Sequence, residues 1–413
     1  MSGNKNEKIK SIIEDHNKKI DDYYKNIYKN DINEFYKKFF YSNNDNSRLK
    51  LHKELIKLYN FLILDKDDID RRIFLINRIN DIMSNVTNSF IIENVGSYSY
   101  DLSLFDSDLD FTLIPKLEKY KNNNMDNINN SINNDLSNNL FNTNIELNDK
   151  QIEEYQNKDI QYKVLYDIFK KIKEKFISTY NIYNIEIINN NVPLIRIKFE
   201  DFPDINVDIT AFQFTSIFSK YLIKNLLRDK DYMKYLIIII KYMLKEKGLY
   251  KRKHKGLSSY GIFHLVYYFV IHIKKNYNFG NKILNINLEY ITLSDFLIYF
   301  FEFYGIYFNF RDYGISIRNG CHLIKNCEEN KIKKIAFIQD FLEPNKNICE
   351  YTDIKSILDL FRFYYKSLIF SPCNFNIYIS RIICLDLLIK KKFDHYKIIK
   401  KYKLNDINNK LNK

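Results

Sequence analysis

Three aspartates carry the clearest chemical signal in the sequence. Asp108 and Asp110 are two residues apart, and side chains two apart on a β-strand point to the same face of a sheet. Asp208 lies in the stretch Ile205–Thr210, where apolar and polar residues alternate as in a half-buried strand. If the two segments are neighbouring strands, the carboxylates converge, and such a set can hold two Mg²⁺ or Mn²⁺ ions about 3.5–4 Å apart. One ion would then activate a hydroxyl nucleophile, and the other would stabilise a leaving pyrophosphate.

A glycine–serine turn precedes the paired aspartates. The stretch Phe90–Val95 is rich in β-formers and ends at Gly96, and Ser97 follows where a helix could begin. Backbone N–H groups at such a turn, together with the Ser97 hydroxyl, can bind terminal phosphates. The turn adds specificity that the aspartate pair alone lacks. The Asp-x-Asp spacing also occurs at Asp65/Asp67, Asp68/Asp70 and Asp229/Asp231.

This order of motifs resembles a known superfamily. Gly-Ser, ten residues, Asp-x-Asp and a later strand aspartate are similar to the pattern of the DNA polymerase β-like nucleotidyltransferases. Within them the chain resembles the non-canonical poly(A) polymerases and terminal uridylyltransferases, above all the TRAMP-type enzymes, from Leu51 to about Leu368. One departure stands inside the motif, since Asp101 occupies a position where the family usually has Gly.

The resemblance implies an α+β fold, with a nucleotidyltransferase palm built on a mixed β-sheet and an α-helical central, poly(A)-polymerase-associated domain. Hydrophobic patterns agree with this division, because strands alternate with helices in the first half and helices predominate in the second. The predicted segments are a polar N-terminal extension (1–47), helices packing on the central domain (48–85), the palm (86–212, with an Asn-rich insert at about 121–150), the helical central domain (213–390) and a basic tail (391–413).

The resemblance also implies a nucleotide-binding set. Its predicted members are Gly96, Ser97, Ser107, Lys241, Lys245, Ser259 and Tyr260. In similar enzymes the two lysines contact the triphosphate, the serine before the tyrosine contacts phosphate, and the tyrosine stacks on the incoming base. From the sequence alone, Lys241 and Lys245 share one helix face, and a solvated surface is the alternative. The four isoleucines before Lys241 favour a position near the core, where the lysine needs a fixed anion.

A loop over residues 338–347 resembles the base-recognition segment of the family, with Lys346 and Asn347 as its predicted base-recognition residues. Uridylyl-adding members typically place a His where Lys346 stands, and no His occurs between Cys327 and Lys390. The missing His favours adenylate over uridylate, although Lys346 is not the usual adenylate-type residue and Phe341 replaces the usual Pro.

The implied activity is template-independent addition of adenylates from ATP to RNA 3′ ends, catalysed by two Mg²⁺ or Mn²⁺ ions on the three aspartates. Three alternatives stay open: a terminal uridylyltransferase that uses UTP, a catalytically weak RNA-processing scaffold, and a small-substrate transferase on the same palm. A scaffold tends to lose at least one of the acids, and this chain has all three.

The composition fits a polyanionic partner. The 413 residues carry a net charge of +13, and Lys and Arg side chains neutralise phosphates. A coding bias towards Lys and Asn is the alternative. The basic run Lys251–Lys255 is interpreted as a nuclear localisation patch, an RNA-backbone contact or a solvated loop. No familiar RNA-binding module is visible, so an RNA-binding adaptor protein and a helicase are the expected partners.

Other features bear on the compartment. The N-terminus lacks an apolar signal segment, no apolar run is long enough for a bilayer, and none of the five cysteines has CxxC spacing. We therefore expect a soluble intracellular protein without a membrane partner, and the resemblance favours the nucleus over the cytoplasm.

Overall fold

A computed structural model describes residues 47–116, 154–251, 255–275, 278–279, 282–283, 292–325, 336–370 and 378–411 of the protein. The predicted N-terminal extension up to residue 46, the Asn-rich insert and residues 252–254 of the basic run lie outside these ranges. Within them the chain has the predicted α+β fold, in which a mixed sheet flanked by helices is followed by a mostly helical part.

Five strands form one sheet. They are β1 (Phe90–Val95), β2 (Leu109–Pro115), β3 (Ile182–Ile188), β4 (Leu194–Phe199) and β5 (Phe202–Ala211). Their spatial order is β1-β2-β5-β4-β3, with β2 and β5 parallel and the other neighbours antiparallel. Strand β1 has the bounds that its β-forming residues predicted, and β5 contains the predicted alternating stretch Ile205–Thr210.

Helices cover one face of the sheet and build the second half of the described chain. The longer ones are α1 (Ser47–Leu62), α2 (Lys66–Val86), α3 (Lys158–Lys175), α4 (Phe214–Leu226), α5 (Asp231–Glu246), α6 (Ser259–Lys275), α7 (Leu293–Glu302), α8 (Ile354–Phe370) and α9 (Leu385–Leu411). Short helical turns occur at Gly96–Ser99, Phe303–Tyr307, Arg318–Gly320 and Ile379–Arg381, and two small hairpins pair Asn278–Phe279 (β6) with Lys282–Ile283 (β7) and Tyr313–Ser316 (β8) with His322–Lys325 (β9). No helix in the described ranges is both long and apolar enough to cross a membrane.

Helix α2 corrects the prediction that both N-terminal helices pack on the helical part. Helix α1 does so, whereas α2 packs on the sheet together with α3. The buried face of α2 consists of Leu75, Ile79, Ile82, Met83 and Val86. A reciprocal capping box between Asp65 and Asp68 starts α2 as a new helix after α1 ends, which lets the chain change packing partner. An apolar helical stripe requires a hydrophobic surface but does not specify which one.

Helix α9 corrects the prediction of a separate tail after residue 390. It runs continuously from Leu385 to Leu411, across the predicted start of the basic tail, and residues beyond 390 pack on the rest of the protein. The His395 ring contacts Asp68 Oδ1 at 2.6 Å and Asp204 Oδ2 at 3.2 Å, and Lys392 Nζ lies 3.6 Å from Asp68 Oδ2. The counter-charges sit on α2 and β5, far away in the chain, so local sequence could not show that this segment folds onto them. We call this set of ion pairs the α9 clasp.

Candidate active site

The three predicted acids lie on one face of the sheet. Asp110 on β2 and Asp208 on β5 are register partners on neighbouring parallel strands, so their side chains stand side by side. Asp108 comes just before β2, and its Oδ1 accepts a hydrogen bond of 3.0 Å from the Asn206 amide. The alternate residues of β5, such as Val207, are fully buried in the core that includes α2 and α3. The aspartates therefore occupy the face opposite these helices.

Asp110 has an unusual charge environment. Burial, followed by the charges of Asp208 and Asp108, raises the pKa of Asp110 to about 7. Burial would also raise the pKa of Asp108, but an ion pair with Lys251 and a hydrogen bond from Asn206 hold that pKa below its usual range. Among the described residues, Lys251 and Lys241 only partly offset these effects on Asp110, and a bound cation would relieve the remaining repulsion between the carboxylates.

Two basic side chains hold the outer carboxylates. Arg196 donates from Nε and Nη2 to the two oxygens of Asp208, each at 2.7 Å, and Lys251 Nζ lies 2.9 Å from Asp108 Oδ2. Within the ranges that the structure describes, no three acidic, His or Cys side chains converge as in a preformed metal site. The oxygen-only donor set still fits a hard divalent cation such as Mg²⁺ or Mn²⁺, since the repulsion at the central carboxylate is only partly offset.

The Gly-Ser turn leaves room for the central carboxylate. Gly96 has a φ of +71°, and a Cβ built there would lie 2.3 Å from Asp110 Oδ2. The following one-turn helix buries Ser97, whose hydroxyl lies 3.3 Å from that of Ser103. Asp101, which departs from the family pattern, takes a left-handed φ of 61° and so keeps a conformation that suits Gly. The turn therefore survives the substitution.

Hydrogen bonds between side chains and backbone fix the segment before the paired aspartates. The Ser107 hydroxyl accepts a hydrogen bond of 3.0 Å from the backbone N–H of Leu104, three residues earlier in the same turn. The fully buried Arg72 of α2 donates from Nη2 to Phe105 O at 3.0 Å and to Ser107 O at 2.9 Å. Helix α2 thus positions the chain that enters the site.

Lys241 and Lys245 both point from α5 to the palm segment that precedes Asp108. Lys241 is 1% exposed and its Nζ donates to Leu102 O at 2.7 Å, while Lys245 Nζ lies 2.7 Å from Asp106 Oδ1. Burial, with the neighbouring Lys245 charge, lowers the pKa of Lys241 to about 7. These contacts rule out a solvated helix face as the environment of the pair.

Ser259 and Tyr260 begin α6 and are hydrogen-bonded within the protein. The Ser259 hydroxyl lies 2.8 Å from the Tyr250 hydroxyl, and Tyr260 OH donates to Asp340 Oδ1 at 3.1 Å. Burial, followed by the Asp340 charge, raises the pKa of Tyr260 well above its usual value. Tyr260 is therefore a neutral aromatic ring whose position is set by the loop that carries Asp340.

The two predicted base-recognition residues differ in their surroundings. Asn347 is 4% exposed, and its amide binds the backbone of Ile338, Cys349 and Ala336. Its side chain holds the loop together and is not available to a base, which corrects the prediction. Lys346 is exposed and pairs with Glu343 at 2.9 Å.

Sequence reasoning missed several residues of the site. They are Arg72, Asp106, Arg196, Asn206, Lys251 and Asp340. Asn206 and Arg196 had a usable signal, since each alternates with buried residues on a predicted strand. Lys251 stood in the noted basic run, but nothing local linked it to Asp108.

The fold is that of a nucleotidyltransferase polymerase core, in which a mixed palm sheet is followed by a mostly helical part. The chain is similar to the polymerase core of TRAMP, an RNA surveillance complex, with a TM-score of 0.58 and 20% identity over 86% of this chain and 94% of that one. It is also similar to a cytoplasmic RNA terminal U-transferase, with a TM-score of 0.59 and 17% identity over 82% of this chain and 98% of that one. At these identities the likeness concerns the fold.

Sequence comparison gives matches to models of poly(A) polymerase families. The family model for the central palm domain of mitochondrial-like poly(A) RNA polymerase matches residues 51–227, and the Cid1 family poly A polymerase model matches residues 292–345. Poly(A) RNA polymerase protein 1 of Saccharomyces cerevisiae is 28% identical over 191 residues, which is 45% of this chain and 28% of that relative. Two models of poly(A) polymerase families therefore match separate parts of this chain.

Proposed function

We propose that the protein is a template-independent RNA nucleotidyltransferase that adds adenylates from ATP to RNA 3′ ends. The observation that carries the proposal is the register pairing of Asp110 with Asp208, with Asp108 beside them on the same face. The matches to poly(A) polymerase family models support the reaction class, and the charge of +13 suits an RNA substrate.

The three aspartates would hold two divalent cations through hard oxygen ligands. When bound, such ions would acidify the attacking hydroxyl and neutralise the charge of the leaving group. The RNA 3′-hydroxyl would face the aspartates and give its proton to Asp208 or to solvent, while its oxygen bonds to the α-phosphorus. The bond from that phosphorus to the β-phosphate oxygen would break, and pyrophosphate would leave.

The remaining predicted residues would bind the nucleotide. The Gly96–Ser97 turn offers backbone N–H groups for the terminal phosphates. Lys241 and Lys245 are held at the palm beside this turn, which supports a role in placing cationic charge near the triphosphate. The Tyr260 ring, fixed through Asp340, would stack on the base.

Primer extension tests the proposal. Purified protein with Mn²⁺ or Mg²⁺ should lengthen a labelled oligoribonucleotide. Asp108→Asn should reduce the rate by at least about 10³-fold, because the three carboxylates act as one unit and the loss of one disables the whole set. The matched control is Asp231→Asn, because Asp231 belongs to another Asp-x-Asp and is exposed on α5. Extension by Asp108→Asn at the rate of the control would refute the proposed mechanism.

UTP is the second candidate substrate, because Lys346 is not the usual adenylate-type residue and the fold is equally similar to a terminal U-transferase. A competition among the four nucleotides on one RNA primer separates the candidates. Predominant adenylate incorporation supports the proposal, and predominant uridylate incorporation replaces it.

We further propose partners and a compartment by analogy. The similar TRAMP core belongs to an RNA surveillance complex, and this chain would likewise act in the nucleus with an RNA-binding adaptor and a helicase. Affinity purification from nuclear and cytoplasmic fractions tests this, and recovery of the protein only from cytoplasm without RNA-processing proteins would contradict it.

A further inference from the structure

Lys251 makes a contact that the proposed function does not use. It follows α5 in the helical part of the chain, and its Nζ lies 2.9 Å from Oδ2 of Asp108, which precedes β2 of the sheet. The lysine therefore places a positive charge directly against one of the proposed metal ligands.

The backbone of Lys251 is fixed, whereas its side chain is accessible. Lys251 has a φ of +72°, its N–H donates to Leu257 O at 3.4 Å, and its carbonyl accepts from Gly256 N at 3.0 Å. A Cβ at Gly256 would lie 2.3 Å from the Leu249 carbonyl carbon, so the loop backbone is closely packed. The side chain of Lys251 is 54% exposed, so it can change its rotamer while the backbone stays in place.

Lys251 is the most exposed of three lysines that join the helical part of the chain to residues 102–108. Lys241 contacts the carbonyl of Leu102, Lys245 pairs with Asp106, and Lys251 pairs with Asp108. Exposure increases along this series, since Lys241 is 1% exposed and the side chains of Lys245 and Lys251 are 28% and 54% exposed. The contact nearest to the proposed metal site is thus the one most easily broken.

A cation on Asp108 would compete with this ion pair. The ammonium group bonds one carboxylate oxygen, while a divalent ion brings twice the charge to the carboxylates on this face of the sheet. Once that oxygen is taken, the anchored lysine stays at the mouth of the site and needs another anion. The incoming nucleotide brings one there, in its phosphate oxygens.

We propose that Lys251 is a displaceable counter-ion: it pairs with Asp108 in the metal-free protein and binds the triphosphate of the incoming nucleotide once a divalent cation occupies the carboxylates. The inference rests on the proposed function, because it takes the aspartates as metal ligands. It predicts that Lys251 weakens binding of the divalent cation and strengthens binding of the nucleotide. A purely structural residue would not produce these opposite effects.

Titration calorimetry of the full chain tests this without any turnover. Without nucleotide, Lys251→Gln should bind Mn²⁺ about two- to fivefold more tightly than wild type, which corresponds to the loss of one exposed ion pair. With saturating Mn²⁺, the same variant should bind a non-hydrolysable ATP analogue several-fold more weakly. Lys251→Arg keeps the charge and should stay near wild type, and Lys247→Gln, an exposed lysine at the end of α5, is the charge-matched control.

The outcomes separate the two proposals. If wild type and Lys251→Gln bind Mn²⁺ equally, or if both ligands bind more weakly to the variant, the counter-ion role is overturned while the proposed function stands. If wild type binds no Mn²⁺, or binds it as well after Asp110→Asn, the carboxylates are not the metal site and both proposals fail.

Discussion

Arg196 donates hydrogen bonds from the adjacent strand to both oxygens of Asp208, with Nε and Nη2 each 2.7 Å from a carboxylate oxygen. The two residues are register partners on the antiparallel strands β4 and β5. A bidentate arginine–carboxylate pair fixes the plane of the carboxylate as well as its position. The third proposed metal ligand is therefore held in one orientation by its neighbour in the sheet.

Removing those hydrogen bonds should impair catalysis. Arg196→Met frees the Asp208 carboxylate to rotate, and we expect kcat for primer extension to fall about 10- to 100-fold, as for other residues that orient metal ligands. Arg196→Lys keeps the charge without the two-pronged geometry and should recover only part of the loss. Arg228→Met, at an exposed arginine after α4, serves as the control. Full activity of Arg196→Met would show that the pair is incidental.

Gly96 should tolerate no side chain. Gly96→Ala combines the strain of a positive φ with a Cβ that would lie 2.3 Å from Asp110 Oδ2, so the Asp110 carboxylate must shift. Gly248 is a matched control, because it has the same φ of +71° with nothing within 4 Å of its added Cβ. Both variants should lose about 1–2 kcal/mol of unfolding free energy from strain, but only Gly96→Ala should lose most of its extension rate. Equal rates for the two variants would argue against the close approach.

The α9 clasp should make stability depend on pH. Burial alone would lower the pKa of His395, but its hydrogen bonds to Asp204 and Asp68 raise that pKa above its usual value. For Asp68 and Asp204, burial alone would raise the pKa. Their contacts with His395 and with nearby lysine and arginine side chains outweigh burial and lower both pKa values. The histidine contribution is complete below about pH 6.5 and is lost as pH rises through the raised value, whereas the aspartate contribution is lost in acid.

Replacing the clasp histidine tests this dependence. His395→Gln should lower the unfolding free energy by about 3 kcal/mol at pH 6, because it leaves buried carboxylates with one cation fewer. The difference from wild type should shrink at pH 8. Urea unfolding at both pH values measures it, with exposed His322→Gln as control. A loss that is the same at both pH values would mean that the ring acts by packing alone.

Two neighbouring residues of the 338–347 loop should behave differently. Asn347→Ala removes a buried amide with several backbone partners, so we expect a loss of about 2 kcal/mol in stability with the ATP-to-UTP preference unchanged. Lys346→His should instead raise UTP use relative to ATP at nearly constant stability, because uridylyl-adding relatives resemble this variant. Lys355→His is the surface control. A shift in base preference for Asn347→Ala alone would reverse these assignments.

Much of the palm could be predicted because its signals are local. Period-two alternation placed Asp110 and Asp208 on strands, and the Gly-Ser turn marked the end of β1, whereas Asp108 lies one residue before β2 rather than on it. The contacts that complete the site join residues far apart in the chain, such as Lys251 with Asp108, and they depend on how the domains pack. The α9 clasp is the extreme case, since Asp68 and His395 are 327 positions apart.

Helix α2 shows a second limit. Its apolar stripe predicted a buried helix correctly, but the same stripe fits the sheet and the helical core equally well. Asn347 shows a third limit of prediction from sequence. A polar residue in a predicted recognition loop can bind the backbone of that loop instead of a ligand, and only the 4% exposure of Asn347 reveals this role.

A double-mutant cycle on Asp110 and Asp208 tests the central claim most directly. If the two carboxylates share the same ions, Asp110→Asn, Asp208→Asn and the double variant should lose primer-extension rate to nearly the same extent, because either change disables the whole unit. Losses that multiply in the double variant, or a single variant that retains most of the wild-type rate, would contradict a shared catalytic site.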